Sequence, residues 1–331
     1  MPRPGRLNLI TDVPGLKVGC VEDEAVRTGV TVLLCPDAWA AAVDVRGGGP
    51  AVRETDTLRP ENSFSRAHAI CLSGGSVFGL GAADGAAIAL SARDVGVKLA
   101  AGSPAIPIVP AASLHDLGNG GDKAWGLSPP YRELGMKAVE AAATDFPLGA
   151  FGAGRGAMAG VVKGGLGSAS LDLGDGLIVG ALVAANPVGS VYMPDGETFW
   201  AWPFEIDGEF GGRRPGAMAT AVEPMPDDTK LGAMGRLRPG ANTTLAIVAT
   251  TADLSTAEAQ RMAMMAHDGM GRAIRPAHTT FDGDIVFALA SGATTLGEGP
   301  ARAAGLARLG SAAADCLARA IARAVYEARA A

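Results

Sequence analysis

Aromatic residues are scarce in this 331-residue chain, at 5%, and charged residues reach only 19%. The first shortage excludes a core built on large rings. The second, beside 48% apolar residues, excludes an intrinsically disordered chain. There are four cysteines, Cys20, Cys35, Cys71 and Cys316, and no Cys-x-x-Cys pair. A disulfide framework is therefore not expected, and with only four histidines neither is a zinc site. The cysteines sit in apolar company and read as buried, reduced thiols. No run of 18 or more apolar residues has a membrane-helix pattern, and the first residues lack the apolar segment of a secretory signal, so the cytoplasm is the expected compartment. A net charge of −6 argues against a nucleic-acid partner. The motifs HExxH, GxxxxGK[ST] and the EF-hand loop are all missing, which places metal hydrolase and P-loop chemistry low.

Glycine is abundant, at 47 residues, and the apolar share is mostly Ala and Val, which predicts thin, closely packed layers. A prior of roughly 150 residues per domain suggests two domains, yet α/β folds of this length commonly hold one core. A single domain over residues 1–331 is expected. Apolar runs at 29–34, 41–45, 69–72, 106–109, 177–184, 245–250 and 285–290 read as strands. Ala-rich patterns at 78–91, 133–144, 257–273 and 301–329 read as helices. Interspersed in this way, they make a layered α/β or α+β protein. Residues 193–242, rich in Pro, Gly and Asp, read as a long excursion. Ser255-Thr256-Ala257-Glu258 is a capping box that starts a helix.

Gly154, Gly156 and Ala159 match the dinucleotide fingerprint, but no clean strand precedes them and a turn or packing role is preferred. Ser73-Gly74-Gly75-Ser76 reads as a strand-to-helix turn whose free amides could receive an anion or a carbonyl oxygen. More telling are polar residues placed directly ahead of strands. Asn242 and Thr243 precede the run at 245–250, and Asp282 and Asp284 precede the run at 285–290. If the two strands are parallel neighbours, Thr243 meets both carboxylates at one sheet end. A Thr hydroxyl needs an adjacent base, and a threonine at a chain N-terminus can use its own α-amine. That amine titrates near ~7.7–8.0. From pattern alone, a Thr before a strand and an Asp-Gly-Asp are more often a cap and a solvated turn.

Seven segments in order, 7–19, 43–48, 68–76, 106–111, 185–189, 242–245 and 278–284, give the chain a wider resemblance. It resembles the self-processing aminopeptidases of the L-aminopeptidase/D-amidase-esterase type, which include β-peptidyl aminopeptidases and nylon-oligomer endohydrolases. The resemblance implies an α+β layered αββα sandwich, similar to N-terminal-nucleophile hydrolases but with different connectivity. It implies self-cleavage between Asn242 and Thr243, giving chains 1–242 and 243–331, and assembly as tetramers of the cleaved unit. Thr243 becomes the nucleophile, with Lys163, Asn186, Asp282 and Asp284 around it. A substrate-contacting Tyr of some relatives falls at His115, and Ser76 lies in the substrate loop. Small peptides, amino-acid amides or esters, or oligoamides are the implied substrates, with no cofactor and no metal. Two other readings stand beside this one: an acyltransferase like ornithine acetyltransferase, which also cleaves itself before Thr, and an uncleaved relative that only binds.

Overall fold

Apolar runs bounded by Gly, Pro and Asp become strands, and Ala-rich amphipathic stretches become helices, in the computed structural model, which describes residues 3–216, 223–234 and 242–329. The first strands are β1 (Lys17–Asp23), β2 (Thr28–Val45), β3 (Val52–Arg53), β4 (Arg66–Ser73) and β5 (Ala111–Ser113). A hairpin of β6 (Met158–Ala159) and β7 (Val162–Lys163) follows. Then come β8 (Gly165–Asp172), β9 (Ile178–Asn186), β10 (Thr243–Ala252) and β11 (Ile285–Thr294). The helices are α1 (Gly81–Ser91), α2 (Tyr131–Glu140), the short α3 (Lys230–Met234), α4 (Thr256–Ala273) and α5 (Gly299–Ala328).

Nine strands form one sheet in the order β3-β5-β4-β2-β11-β10-β9-β8, with β1 added to β2. The long strand β2 joins its two halves. Residues 30–34 pair with β4, the register shifts between Leu34 and Trp39, and residues 40–45 pair with β11. Pro36 lies in that irregular stretch, where a residue without an N–H is tolerated. The halves then face one another. Ile70 and Leu72 of β4 share a core with Leu182 of β9, Ile247 of β10 and Phe287 of β11.

Alternate residues point to the opposite faces, as the period of two demands. Ala246, Val248, Val286 and Ala288 pack on Met262 and Ala266 of α4 and on Leu317 and Ile321 of α5. Val30, Val32, Ala69 and Cys71 pack on Ala82 and Ala86 of α1 and on Leu134 and Ala138 of α2. The layering is helix, sheet, sheet, helix. Glycine sets how closely the layers approach: a Cβ on Gly167 of β8 would lie 2.0 Å from the Ala320 carbonyl of α5. Ser255 and Glu258 form the expected capping box, with Ser255 N donating to Glu258 Oε2 at 2.9 Å.

Three expectations are corrected. The runs at 29–34 and 41–45 are one strand, because the chain continues through an irregularity rather than a turn. Residues 106–109 contribute one bridge, Val97 to Ile106, and no strand, since Pro107 and Pro110 remove amides that a ladder needs. Residues 193–216 are not a loose excursion: Phe199, Ala201 and Phe210 are buried in the core beneath α5. Residues 217–222 and 235–241 of that stretch lie outside the described residues. All four cysteines are free, with Cys35, Cys71 and Cys316 buried. No described helix is long and apolar enough to cross a membrane.

Candidate active site

Strand β10 lies in mid-sheet, antiparallel to β9 and parallel to β11. Both neighbours are apolar along their length, so polar residues collect at the strand ends. Thr243 opens β10 opposite Asn186, the last residue of β9, and Asn242 bridges Asp282 just ahead of β11. The parallel arrangement thus joins Thr243, Asn186, Asp282 and Asp284 at one sheet end, and all four are buried.

The peptide carbonyl of Asn242 receives two donors. The Thr243 hydroxyl donates to it, and so does the Gly283 amide, at 2.8 Å. Only glycine fits at 283, because a Cβ there would lie 2.7 Å from Thr243 Oγ1 and 2.8 Å from the Gly49 carbonyl. Loop 46–49 holds the Asp-Gly-Asp segment from outside: Arg46 and Gly47 donate amides to the Asp284 carbonyl, and Gly49 to that of Asp282. A Cβ on Gly47 would lie 2.2 Å from Asp284 N, and one on Gly48 2.8 Å from the Thr280 carbonyl, which accounts for the glycines at these two positions. The Asn242 side chain is buried, and neither its Nδ2 nor its Oδ1 has a partner among the described residues.

The two carboxylates are held differently. Asp282 accepts from Val188 N at 3.0 Å through Oδ1 and from the Thr279 amide and hydroxyl, at 3.0 and 2.6 Å, through Oδ2. Burial, with the neighbouring Asp284 carboxylate adding to it, pushes Asp282 up to about 6. Asp284 accepts from Thr244 N at 2.7 Å and from His278 N at 3.0 Å, and His278 Nδ1 lies 2.8 Å from its Oδ2. Asp284 therefore grips the chain one residue beyond Thr243, while Asp282 braces the turn after β9.

Asn186 Oδ1 accepts from Met158 N at 2.9 Å and from Lys230 Nζ at 3.0 Å, and its Nδ2 donates to the His115 carbonyl at 3.2 Å. His115 is thus beside Asn186, half-buried. Lys163, on β7 opposite Met158, is exposed and lines a cleft of 320 Å³ with Arg27, Asn119 and Arg155. Lys230 is a site residue that the sequence reading missed. Its side chain is buried, and burial pulls it down to about 7 against the opposing pull of Asp282. The only signal was a lysine within a proline-broken acidic stretch, and nothing in its spacing points to Asn186.

Among the described residues Ser76 makes its hydrogen bonds to Leu114 and Ser113 and none to the Thr243 cluster. The expectation of free amides in its loop is corrected. Gly74 N donates to the Gly29 carbonyl, Gly75 N to Asp116 Oδ1 and Ser76 N to the Leu114 carbonyl. A left-handed backbone at Gly75, φ +83°, makes this turn around Asp116. The fingerprint-like segment at 154–159 leads into β6 rather than a helix. Among the described residues no group of three or more His, Cys, Asp or Glu is placed to hold a metal ion.

Comparison with known proteins places the chain among peptidases and amide hydrolases. An uncharacterized aminopeptidase of Mycobacterium tuberculosis is 41% identical over 338 residues, covering 98% of this chain and 95% of that protein. A 6-aminohexanoate-oligomer endohydrolase of Kocuria sp. is 32% identical, over 86% of this chain and 75% of that protein. Among solved structures, a Burkholderia sp. beta-aminopeptidase superimposes with a TM-score of 0.69 at 26% identity, covering 98% of this chain and 88% of that one. The L-aminopeptidase D-Ala-esterase/amidase of Ochrobactrum anthropi, described as a new variant among the Ntn hydrolase fold, gives 0.66 at 19% identity, with 98% and 87% covered; this likeness bears on the fold. The sequence profile of peptidase family S58 matches residues 8–331, and the chain belongs to that family.

Proposed function

We propose that this protein is a self-processing amidohydrolase of the aminopeptidase type, and that Thr243 serves first to cut its own chain and then to cleave substrate. The observation that carries the reading is the pair of donors on the Asn242 carbonyl: the hydroxyl next to it and the Gly283 amide at 2.8 Å. A hydroxyl beside the bond and an amide able to serve as oxyanion donor support that reading. In the first reaction Thr243 Oγ1 bonds to the Asn242 carbonyl carbon, and the carbon–nitrogen bond breaks. The hydroxyl proton ends on the departing Thr243 nitrogen. Water then hydrolyses the ester, leaving a carboxylate on Asn242 and a free amine on Thr243.

In turnover that amine takes the Thr243 hydroxyl proton as Oγ1 attacks the substrate carbonyl, and Asn186 Nδ2 donates to the oxyanion. The bond to the leaving amine or alcohol then breaks as it takes that proton, and water hydrolyses the acyl-Thr243 ester to release the acid and restore the hydroxyl. Asp284 fixes the backbone at Thr244, which holds Thr243 in line. Lys163, lining the cleft beside the Met158 amide that anchors Asn186, supplies positive charge that favours the neutral amine. His115 contacts substrate near Asn186, and Ser76 does so from the neighbouring loop. Short peptides, amino-acid amides or esters, and oligoamides are the substrates we assign. 6-Aminohexanoate oligomers belong with them, as the printed activity of the Kocuria relative suggests. The working form is a tetramer of cleaved units in the cytoplasm, a placement that the four free thiols favour. N-terminal sequencing of the purified protein, paired with hydrolysis of a panel of aminoacyl p-nitroanilides and oligoamides, tests the reading. It expects a second chain that begins at Thr243; an active protein with a single uncut chain would reject it.

A further inference from the structure

An amide side chain has two edges of opposite polarity, and a catalytic asparagine must present its NH₂ edge to a developing oxyanion. Nothing in the covalent structure prevents the reverse orientation. Given Asn186 as the oxyanion donor proposed above, something has to fix its amide, and the surroundings of Oδ1 identify what does so.

We infer that Lys230 is a positioning residue: by donating to Oδ1 of Asn186 at 3.0 Å and to its main-chain carbonyl at 3.2 Å, it holds the side-chain amide with Nδ2 turned outward as the donor. The Met158 amide is the second donor to Oδ1, at 2.9 Å. A flipped Asn186 would set its own NH₂ against the Met158 N–H, losing that hydrogen bond, and against the hydrogens that Lys230 donates in the orientation held. In the orientation held, Nδ2 donates to one described acceptor, the His115 carbonyl, at 3.2 Å, the long end of the usual range. One of its two hydrogens is left for substrate.

Lys230 is itself anchored. Its amide donates to the Val188 carbonyl at 3.0 Å, Asp228 accepts from the Ser190 hydroxyl, and Val161 N donates to the Asp228 carbonyl at 3.1 Å. These anchors all lie on the same side of Asn242 as Lys230, so a cut after Asn242 leaves them intact. Burying an amine is expensive: a methionine would fill similar space without that desolvation cost, and it would supply no donor to Asn186. The retained lysine is thus better explained by what it holds than by packing.

The test is a double-mutant cycle in the full-length protein, using Lys230→Met, Asn186→Ala and the two combined. Chain cutting is read by intact mass, and kcat and KM on an aminoacyl p-nitroanilide. Lys230→Met is expected to mature into two chains and to lose kcat about tenfold with KM little changed, a part of the roughly 10²–10³ lost when an oxyanion donor is removed. On the Asn186→Ala background it should cost nothing further, because the lysine acts through that side chain. Equal losses on both backgrounds, an unchanged kcat, or a folded Lys230→Met that stays uncut would each overturn the inference. Full turnover by Asn186→Ala alone would instead overturn the oxyanion role on which it rests. Lys230→Gln, which keeps a donor at nearly the same reach, should lose less kcat than Lys230→Met, and it carries the same cycle if the methionine variant does not fold.

Discussion

Gly283→Ala would place a methyl group 2.7 Å from Thr243 Oγ1 and 2.8 Å from the Gly49 carbonyl. Neither neighbour can give easily: Gly49 is tied by its own amide to the Asp282 carbonyl, and Oγ1 is the attacking atom. The movement therefore falls on residue 283, and it carries the amide away from the Asn242 carbonyl. Losing one oxyanion donor costs about 2.7–4 kcal/mol of barrier, so self-cleavage should slow roughly 10²–10³-fold. The crowding itself lowers stability by a further ~1–3 kcal/mol. Freshly purified precursor, followed by intact mass over time, measures the cutting, and near-ultraviolet circular dichroism checks that the variant is folded. A folded Gly283→Ala that splits at the wild-type rate would refute the role given to this amide.

Two further outcomes follow from the buried polar groups, both read on the uncut Thr243→Ala background. Asp282 is held near 6 when folded but titrates near 3.9 unfolded, so the folded state binds the extra proton between those values. Its contribution to stability is therefore largest below about pH 4 and is lost as pH rises through 6, by roughly 3 kcal/mol. Asp282→Asn should flatten that part of the profile in denaturant titrations at pH 4, 5 and 6, and an unchanged slope would contradict the assignment. Asn242→Leu removes two buried polar atoms that have no partner among the described residues, each costing ~1–3 kcal/mol, and should raise the thermal midpoint; a lower midpoint would contradict the reading that these atoms are unsatisfied in the uncut chain.

Much of this fold could be read from apolar runs. Strands β9, β10 and β11 carry central runs that are almost wholly apolar because both faces are covered, and their ends were marked by polar residues. Thr243, Asp282 and Asp284 could be placed together from that reading alone, once the strands were taken as parallel neighbours. Strand β8 was illegible for a physical reason: Gly165, Gly167, Ser168 and Ser170 look like a loop, yet the glycines are small because the α5 backbone packs against them, and the serine hydroxyls on the other face hold the Gly5 and Ile10 amides. Lys230 was hidden in a different way. Its contact with Asn186 depends on how a proline-rich segment folds back over β9, and no periodicity encodes that path. The tight amide geometry around Gly283 is likewise a product of three converging segments, 46–49, 242–243 and 282–284, and only their glycines hinted at it.

Terminal and mass analysis of the wild type beside Thr243→Ala bears most directly on the central claim, that one hydroxyl opens the chain and so acquires its own base. The account predicts two chains for the wild type, the second starting at Thr243, and a single silent chain for the variant. Thr243→Ala that still divides at this bond and still hydrolyses amides would contradict it.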